Sequence, residues 1–154
     1  VGHNQVKGDK MIREMKETDL DGLLELYQHL HENKKPTPSK NLDILWKQII
    51  ADRNHHIVVA IEDEKIVSSC VLVVVPNLTH QQRPYALIEN VVTDINYRKK
   101  GLATACLRYA KEVEISKDCY KIMLLTGAKD KSTLRFYETA GFNKNDKTAF
   151  IQWL

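Results

Sequence analysis

Arg98, Lys99, Lys100, Gly101, Leu102, Ala103 and Thr104 follow one another as a basic turn that runs into small residues. If a helix begins there, its first amides lack intrahelical acceptors and carry the positive end of the helix dipole. Such a start is a ready anion site. Gly101 and Ala103 let a ligand approach the backbone closely, and the three cations add charge, so a diphosphate fits. The plain alternative is a solvated basic turn without a ligand. The turn stands between an apolar strand pattern and a long amphipathic helix pattern, and this position favours the anion site.

Other chemistry is excluded or weakened by composition. The 154 residues carry a formal charge of +3, with Lys and Arg interleaved among Asp and Glu, unlike the dense basic face of a nucleic-acid binder. The longest apolar run, residues 66–75, is broken by Ser68 and Ser69 and falls short of the roughly 20 residues of a membrane span. No secretory signal pattern stands at the N-terminus. Cys70, Cys106 and Cys119 have no metal-ligand spacing, and no metal is expected. Each lies in an apolar stretch, as free buried thiols of a cytoplasmic protein would. A nucleophilic Cys106 is the sharper alternative, but no His–Asp arrangement points to it.

The positioning elements follow from periodicity. Residues 1–10 lack it and are expected to be a leader, vector-derived or mobile, before a single domain at 11–154. A strand at 10–16 is followed by a helix capped by Thr18 or Asp19, with Leu20, Leu23, Leu24, Tyr27 and Leu30 at helical spacing. Pro36 and Pro38 break it, and a second helix fits 42–53. Strands at 56–62 and 65–75 flank a polar turn, and residues 76–84 form a loop. A strand at 85–93, a helix at 101–117, a strand at 120–126, a helix at 130–140 closed by Gly141, and a last strand at 148–154 complete the order. This is an α/β domain with helices covering a mixed sheet.

At this point the residues resemble a known family. Arg98, Gly101 and Ala103 match the Gln/Arg-x-x-Gly-x-Gly/Ala signature of the GNAT N-acetyltransferase superfamily. Residues 130–142, from Asp130 through Tyr137 to Gly141 and Phe142, are similar to its Asn-x-x-Ala-x-x-x-Tyr-x-x-x-Gly-Phe block. Residues 88–92 and 119–122 resemble the glucosamine-6-phosphate N-acetyltransferase branch. Thr126 and Gly127 depart from that branch's acidic-Cys pair.

The resemblance implies an acyl-CoA N-acyltransferase fold, a mixed central sheet flanked by about four helices, and acetyl-CoA as cosubstrate. It implies that backbone groups of Val91, Val92 and Thr93 pair with the pantetheine arm, much as another strand would. The amides of Arg98, Lys99, Lys100, Gly101, Leu102, Ala103 and Thr104 would hold the pyrophosphate. Tyr137 would donate to the leaving sulfur, and its alternative is a core aromatic beside Phe136 and Phe142. Asp130 either contacts the cofactor or caps its helix.

Attack of an amine on a thioester also needs a proton acceptor. Strand alternation puts Glu89 on one face with Val91 and Thr93, where it either serves as that base or forms an ion pair ordering the cleft. His80 is a weaker candidate, and water the third. The acceptor is a primary amine of a small molecule or peptide, set by the helix pair at 20–53 and the loop at 76–84. His80, Gln81, Gln82 and Arg83 point to a polar one. Family habit implies a homodimer. A non-catalytic acyl-CoA sensor of the same fold is the rival reading, and a phosphate-contacting interaction domain is a more distant one.

Overall fold

The computed structural model describes residues 10–30 and 34–154. The expected leader therefore lies outside the described residues, apart from Lys10. Five strands form one sheet in the order β1-β2-β3-β4-β5: Met11–Glu14, His55–Glu62, Lys65–Val75, Tyr85–Thr93 and Ile122–Leu124. The first four are antiparallel neighbours, and β5 runs parallel to β4. Helices α1 (Leu20–Tyr27) and α2 (Lys40–Ala51) cover one face, and α3 (Leu102–Ser116) and α4 (Lys131–Thr139) the other.

The two faces explain the near-continuous apolar runs of β2 and β3. A strand covered on both sides has no polar face to alternate with. Val58, Ala60, Cys70 and Leu72 pack with Leu102, Cys106 and Ala110 of α3. Ile57, Val59 and Val71 pack with Leu23, Leu26 and Trp46 of the first helix pair. Ser39 caps α2 by accepting from the Leu42 amide, and the Trp46 indole donates to the Glu17 carbonyl at 2.9 Å, pinning α2 to the turn before α1. Arg13 holds β1 to that turn through Asp19 at 2.6 Å, and the guanidinium keeps the Asp19 carboxyl below its usual range.

Most expected elements are present with trimmed ends. The first helix is shorter than its apolar spacing, because a 3-10 turn at Glu17–Asp19 precedes it and the chain turns after Tyr27. The loop at 76–84 carries a left-handed turn, with His80, Gln81 and Gln82 all at positive φ. One expectation fails. Residues 148–154 form no strand and lie exposed. Their pattern suits a strand, but no strand among the described residues pairs with them.

Candidate functional site

The parallel pair β4–β5 is zipped for only three residues, Ala86 with Ile122, Leu87 with Met123 and Ile88 with Leu124. There β5 ends, while β4 runs on to Thr93. From Glu89 to Thr93, roughly 16 Å of strand, one edge of β4 has no strand partner among the described residues. A slot opens between the diverging strands, walled on one side by main-chain donors and acceptors.

A bulge shapes that wall. Val71 faces Glu89 and Ser69 faces Val92, so Cys70 alone stands opposite both Asn90 and Val91. Asn90 takes φ +49°, a left-handed conformation that Asn tolerates better than most residues. The extra residue reverses the alternation of side chains. Ile88 and Val91 pack toward α3, while Val92 packs toward α1 and α2. Glu89 therefore does not share a face with Val91 and Thr93, as simple alternation predicted. It is exposed on the α1 side, just past the point where β5 leaves. The Thr93 hydroxyl meets Ser68 Oγ of β3 at 2.8 Å, and the Ser68 hydroxyl donates to the Val92 carbonyl.

Beside the bulge lies a residue whose helical spacing points only to a place in the core. Tyr27 Oη is buried and makes no hydrogen bond of normal geometry among the described residues, although the side chains of Asn90 and Ser69 lie next to it. Burial pushes this phenol up to about 12. An Asn between Ile88-Glu89 and Val91-Val92, inside a strand pattern, was the one sequence signal for the bulge.

At the far end of β4 the chain makes the basic turn. Asp94 is fully buried, accepts from the Asn96 amide at 2.9 Å and receives the Lys65 ammonium at 2.7 Å, which keeps it below the usual carboxylate range. It thereby fixes the 3-10 turn Ile95–Tyr97. Lys99 at φ +62° and Gly101 at φ +76° then reverse the chain into α3. A Cβ at Gly101 would meet nothing within 4 Å, so glycine is needed there for its φ and not for space. No side chain among the described residues caps α3, and its first intrahelical bond runs from the Ala105 amide to the Gly101 carbonyl at 3.0 Å. The amides of Leu102, Ala103 and Thr104 are left as unfilled donors.

The three cations are not equivalent. Lys100 pairs with Glu62 at 2.9 Å and sits 4.7 Å above the Tyr97 ring, so its charge is matched within the protein. Among the described residues Arg98 reaches only the Thr93 carbonyl, at 3.4 Å, and Lys99 is exposed. These two carry the free positive charge of the turn.

The opposite wall comes from α4. Asp130 caps it by accepting from the Thr133 amide at 2.8 Å, a bond that lowers its carboxyl. Tyr137 is half-buried, edge-on to Phe136 at 5.0 Å and to Phe142 at 6.3 Å. The Phe142 amide returns to the Tyr137 carbonyl at 3.0 Å, with Gly141 in the left-handed conformation the sharp exit needs. Burial, and secondarily Cys70, raises the Tyr137 phenol, which keeps it protonated at neutral pH.

Two candidates fall outside this slot. His80 stacks on Tyr120 at 3.9 Å, near the start of β4, roughly 13 Å along the strand from Glu89. Cys106 is fully buried under α3 and its thiol is pushed up to about 12 by burial, the wrong direction for a nucleophile. No group of three metal-ligating side chains gathers among the described residues. No described helix is long and apolar enough to cross a membrane.

The slot can take an extended, amide-bearing chain along β4, with an anionic group at the start of α3 and a protonated phenol across from the bulge. Relatives share this frame. The model of the acetyltransferase (GNAT) family matches residues 20–142. A glucosamine 6-phosphate N-acetyltransferase from Trypanosoma brucei brucei is 34% identical over 145 residues, covering 90% of this chain and 92% of that protein. A crystal structure of a Trypanosoma brucei acetyltransferase superposes with TM-score 0.77 at 30% identity, covering 94% of this chain and all of the other. The glucosamine-6-phosphate N-acetyltransferase of Arabidopsis thaliana shares the fold at TM-score 0.83 and 22% identity, covering 94% and 98% of the two chains. With the family match spanning most of the chain and a relative aligned nearly end to end, this protein belongs to the GNAT family of N-acetyltransferases.

Proposed function

We propose that the chain transfers the acetyl group of acetyl-CoA to a primary amine of a small, polar molecule by direct attack within a ternary complex. The observation that carries this reading is the coincidence of an unpaired β4 edge with an uncapped helix start at its end. An extended arm of amides ending in a diphosphate is complementary to both. Val91, Val92 and Thr93 would pair with the pantetheine amides, and Leu102, Ala103 and Thr104, helped by Arg98 and Lys99, would hold the diphosphate. Lys100 is given a smaller part, because Glu62 already engages it.

In the reaction the amine nitrogen attacks the thioester carbon, and the carbonyl electrons move to oxygen. The tetrahedral intermediate then collapses, the C–S bond breaks, and the thiolate leaves. Main-chain amides freed at the bulge are suited to the oxyanion. Tyr137 would protonate the departing sulfur, for which a phenol held protonated is suited. Glu89 is exposed at the mouth of the slot and would accept the amine proton, directly or through water. Asp130 serves first as the cap that orients α4.

The acceptor is read from the side of α1. Asn90 and Glu89 are exposed there and offer amide and carboxylate, a pair that suits a hydroxylated amine such as an amino sugar. Sequence similarity to a glucosamine 6-phosphate N-acetyltransferase supports the same class. The test is thiol release from acetyl-CoA against amino sugars, their phosphates, polyamines, amino acids and peptides. Turnover at least about 100-fold above background is expected with one polar small amine. Tight acetyl-CoA binding with no turnover on any acceptor would support a sensor instead.

A further inference from the structure

The tip of the β2–β3 hairpin carries charges that serve another part of the chain. Asp63 and Glu64, at φ +53° and +60°, make a two-residue reversal that sets Glu62 and Lys65 opposite each other across the ladder. Both side chains reach the basic turn. Lys65 Nζ donates to Asp94 Oδ2 at 2.7 Å, and Glu62 Oε1 accepts from Lys100 Nζ at 2.9 Å. Two charges of the hairpin thus meet two opposite charges of the turn, one at its start and one just before Gly101. Tyr97, between them in sequence, has its hydroxyl 3.5 Å from Asp63 Oδ2. Its ring centroid lies 4.7 Å from Lys100 Nζ and 5.7 Å from Lys65 Nζ.

The two grips are not equal. Lys65 reaches in from water to a carboxylate whose side chain is only 2% exposed. His29 Nε2 stands 3.7 Å from the same Oδ2, beyond hydrogen-bond reach, so Lys65 is the cation that matches this charge. Asp94 Oδ1 accepts from the Asn96 amide, its carbonyl accepts from the Tyr97 amide, and its own amide donates to the Val67 carbonyl. A buried carboxylate stripped of its cation is a poor anion. It would take up a proton or move toward water, and the bonds that fix Ile95–Tyr97 would loosen with it. The amides of Leu102, Ala103 and Thr104 stand at the other end of that turn.

We infer that Lys65 is a positioning residue for the cosubstrate's diphosphate, acting through Asp94 to hold residues 94–101 in the shape that aims the α3 amides before the ligand arrives. This rests on the diphosphate reading proposed above and assigns no contact between Lys65 and the ligand.

Calorimetric titration with acetyl-CoA and with acetyl-pantetheine, which has no diphosphate, separates this role from a general one. Lys65→Met should weaken acetyl-CoA about tenfold and leave acetyl-pantetheine within about twofold. Lys65→Arg keeps a cation for Asp94 and should hold acetyl-CoA within about threefold of the wild type. In an Asp94→Asn background the carboxylate is gone, so adding Lys65→Met should weaken binding less than about threefold further. If Lys65→Met fails to fold, Asp94→Asn, which buries no unpaired charge, carries the test alone. A loss confined to acetyl-CoA then supports the inference, and unchanged affinity overturns it. Equal loss of both ligands in Lys65→Met would overturn it too. So would a full tenfold loss in the Asp94→Asn background, because the ammonium would then act on the ligand by its own charge. A wild type that binds both ligands alike would overturn the diphosphate reading itself. A wild-type preference that survives Lys65→Met overturns this inference alone.

Discussion

Tyr137→Phe is expected to lower kcat about 100-fold, the usual contribution of a positioned proton donor, while KM for acetyl-CoA changes less than about threefold. The phenol ring would remain edge-on to Phe136 and Phe142, so packing is kept and only the hydroxyl is lost. The pH profile gives a second readout. In the proposed mechanism the active form is the protonated phenol, and burial raises its pKa, so the loss of activity through this group is expected above the ordinary phenol value of about 10. The Phe variant should lack that alkaline limb. Steady-state kinetics from neutral to alkaline pH would check both, and a variant with unchanged kcat would leave Tyr137 as a core aromatic only.

Gly101→Val is expected to weaken acetyl-CoA binding about 10- to 100-fold, measured by calorimetric titration. The added side chain meets no neighbour, so the effect comes from the backbone. At φ +76° an L-residue costs about 1–2 kcal/mol, and a β-branched one more. Relaxing that strain re-aims the amides of Leu102, Ala103 and Thr104, which are the proposed phosphate donors. Gly101→Asn supplies the control. Asn visits the left-handed region readily, so binding within about threefold of the wild type is expected. Equal loss in both variants would point to crowding of the ligand in place of strain.

The legible parts of this protein were local. The basic turn, the small residues opening α3 and the Tyr137 block are each contiguous in sequence, and helix and strand periods place them correctly. The illegible parts depend on partners far along the chain. The bulge at Asn90 exists only in register with Cys70 on β3, so alternation alone put Glu89 on the wrong face. Lys100 reads as a free cation until Glu62, 38 residues earlier, is found to hold it. Tyr27 reads as one more apolar position of α1 until the sheet brings Asn90 and Ser69 beside its hydroxyl. Asp130 could be ligand or cap, and its distance to the Thr133 amide shows that it caps. The strand pattern at 148–154 states what that stretch can become, but periodicity carries no information about where its partner lies.

The central claim is that the start of α3 and the open edge of β4 together hold acetyl-CoA by its diphosphate and its amides. Titration of the unmodified chain with acetyl-CoA and with acetyl-pantetheine, which lacks the diphosphate, tests it most directly. Acetyl-CoA should bind at least about 100-fold more tightly, with the difference shrinking at high salt as the ionic part is screened. Equal affinities, or no binding of acetyl-CoA, would contradict the account.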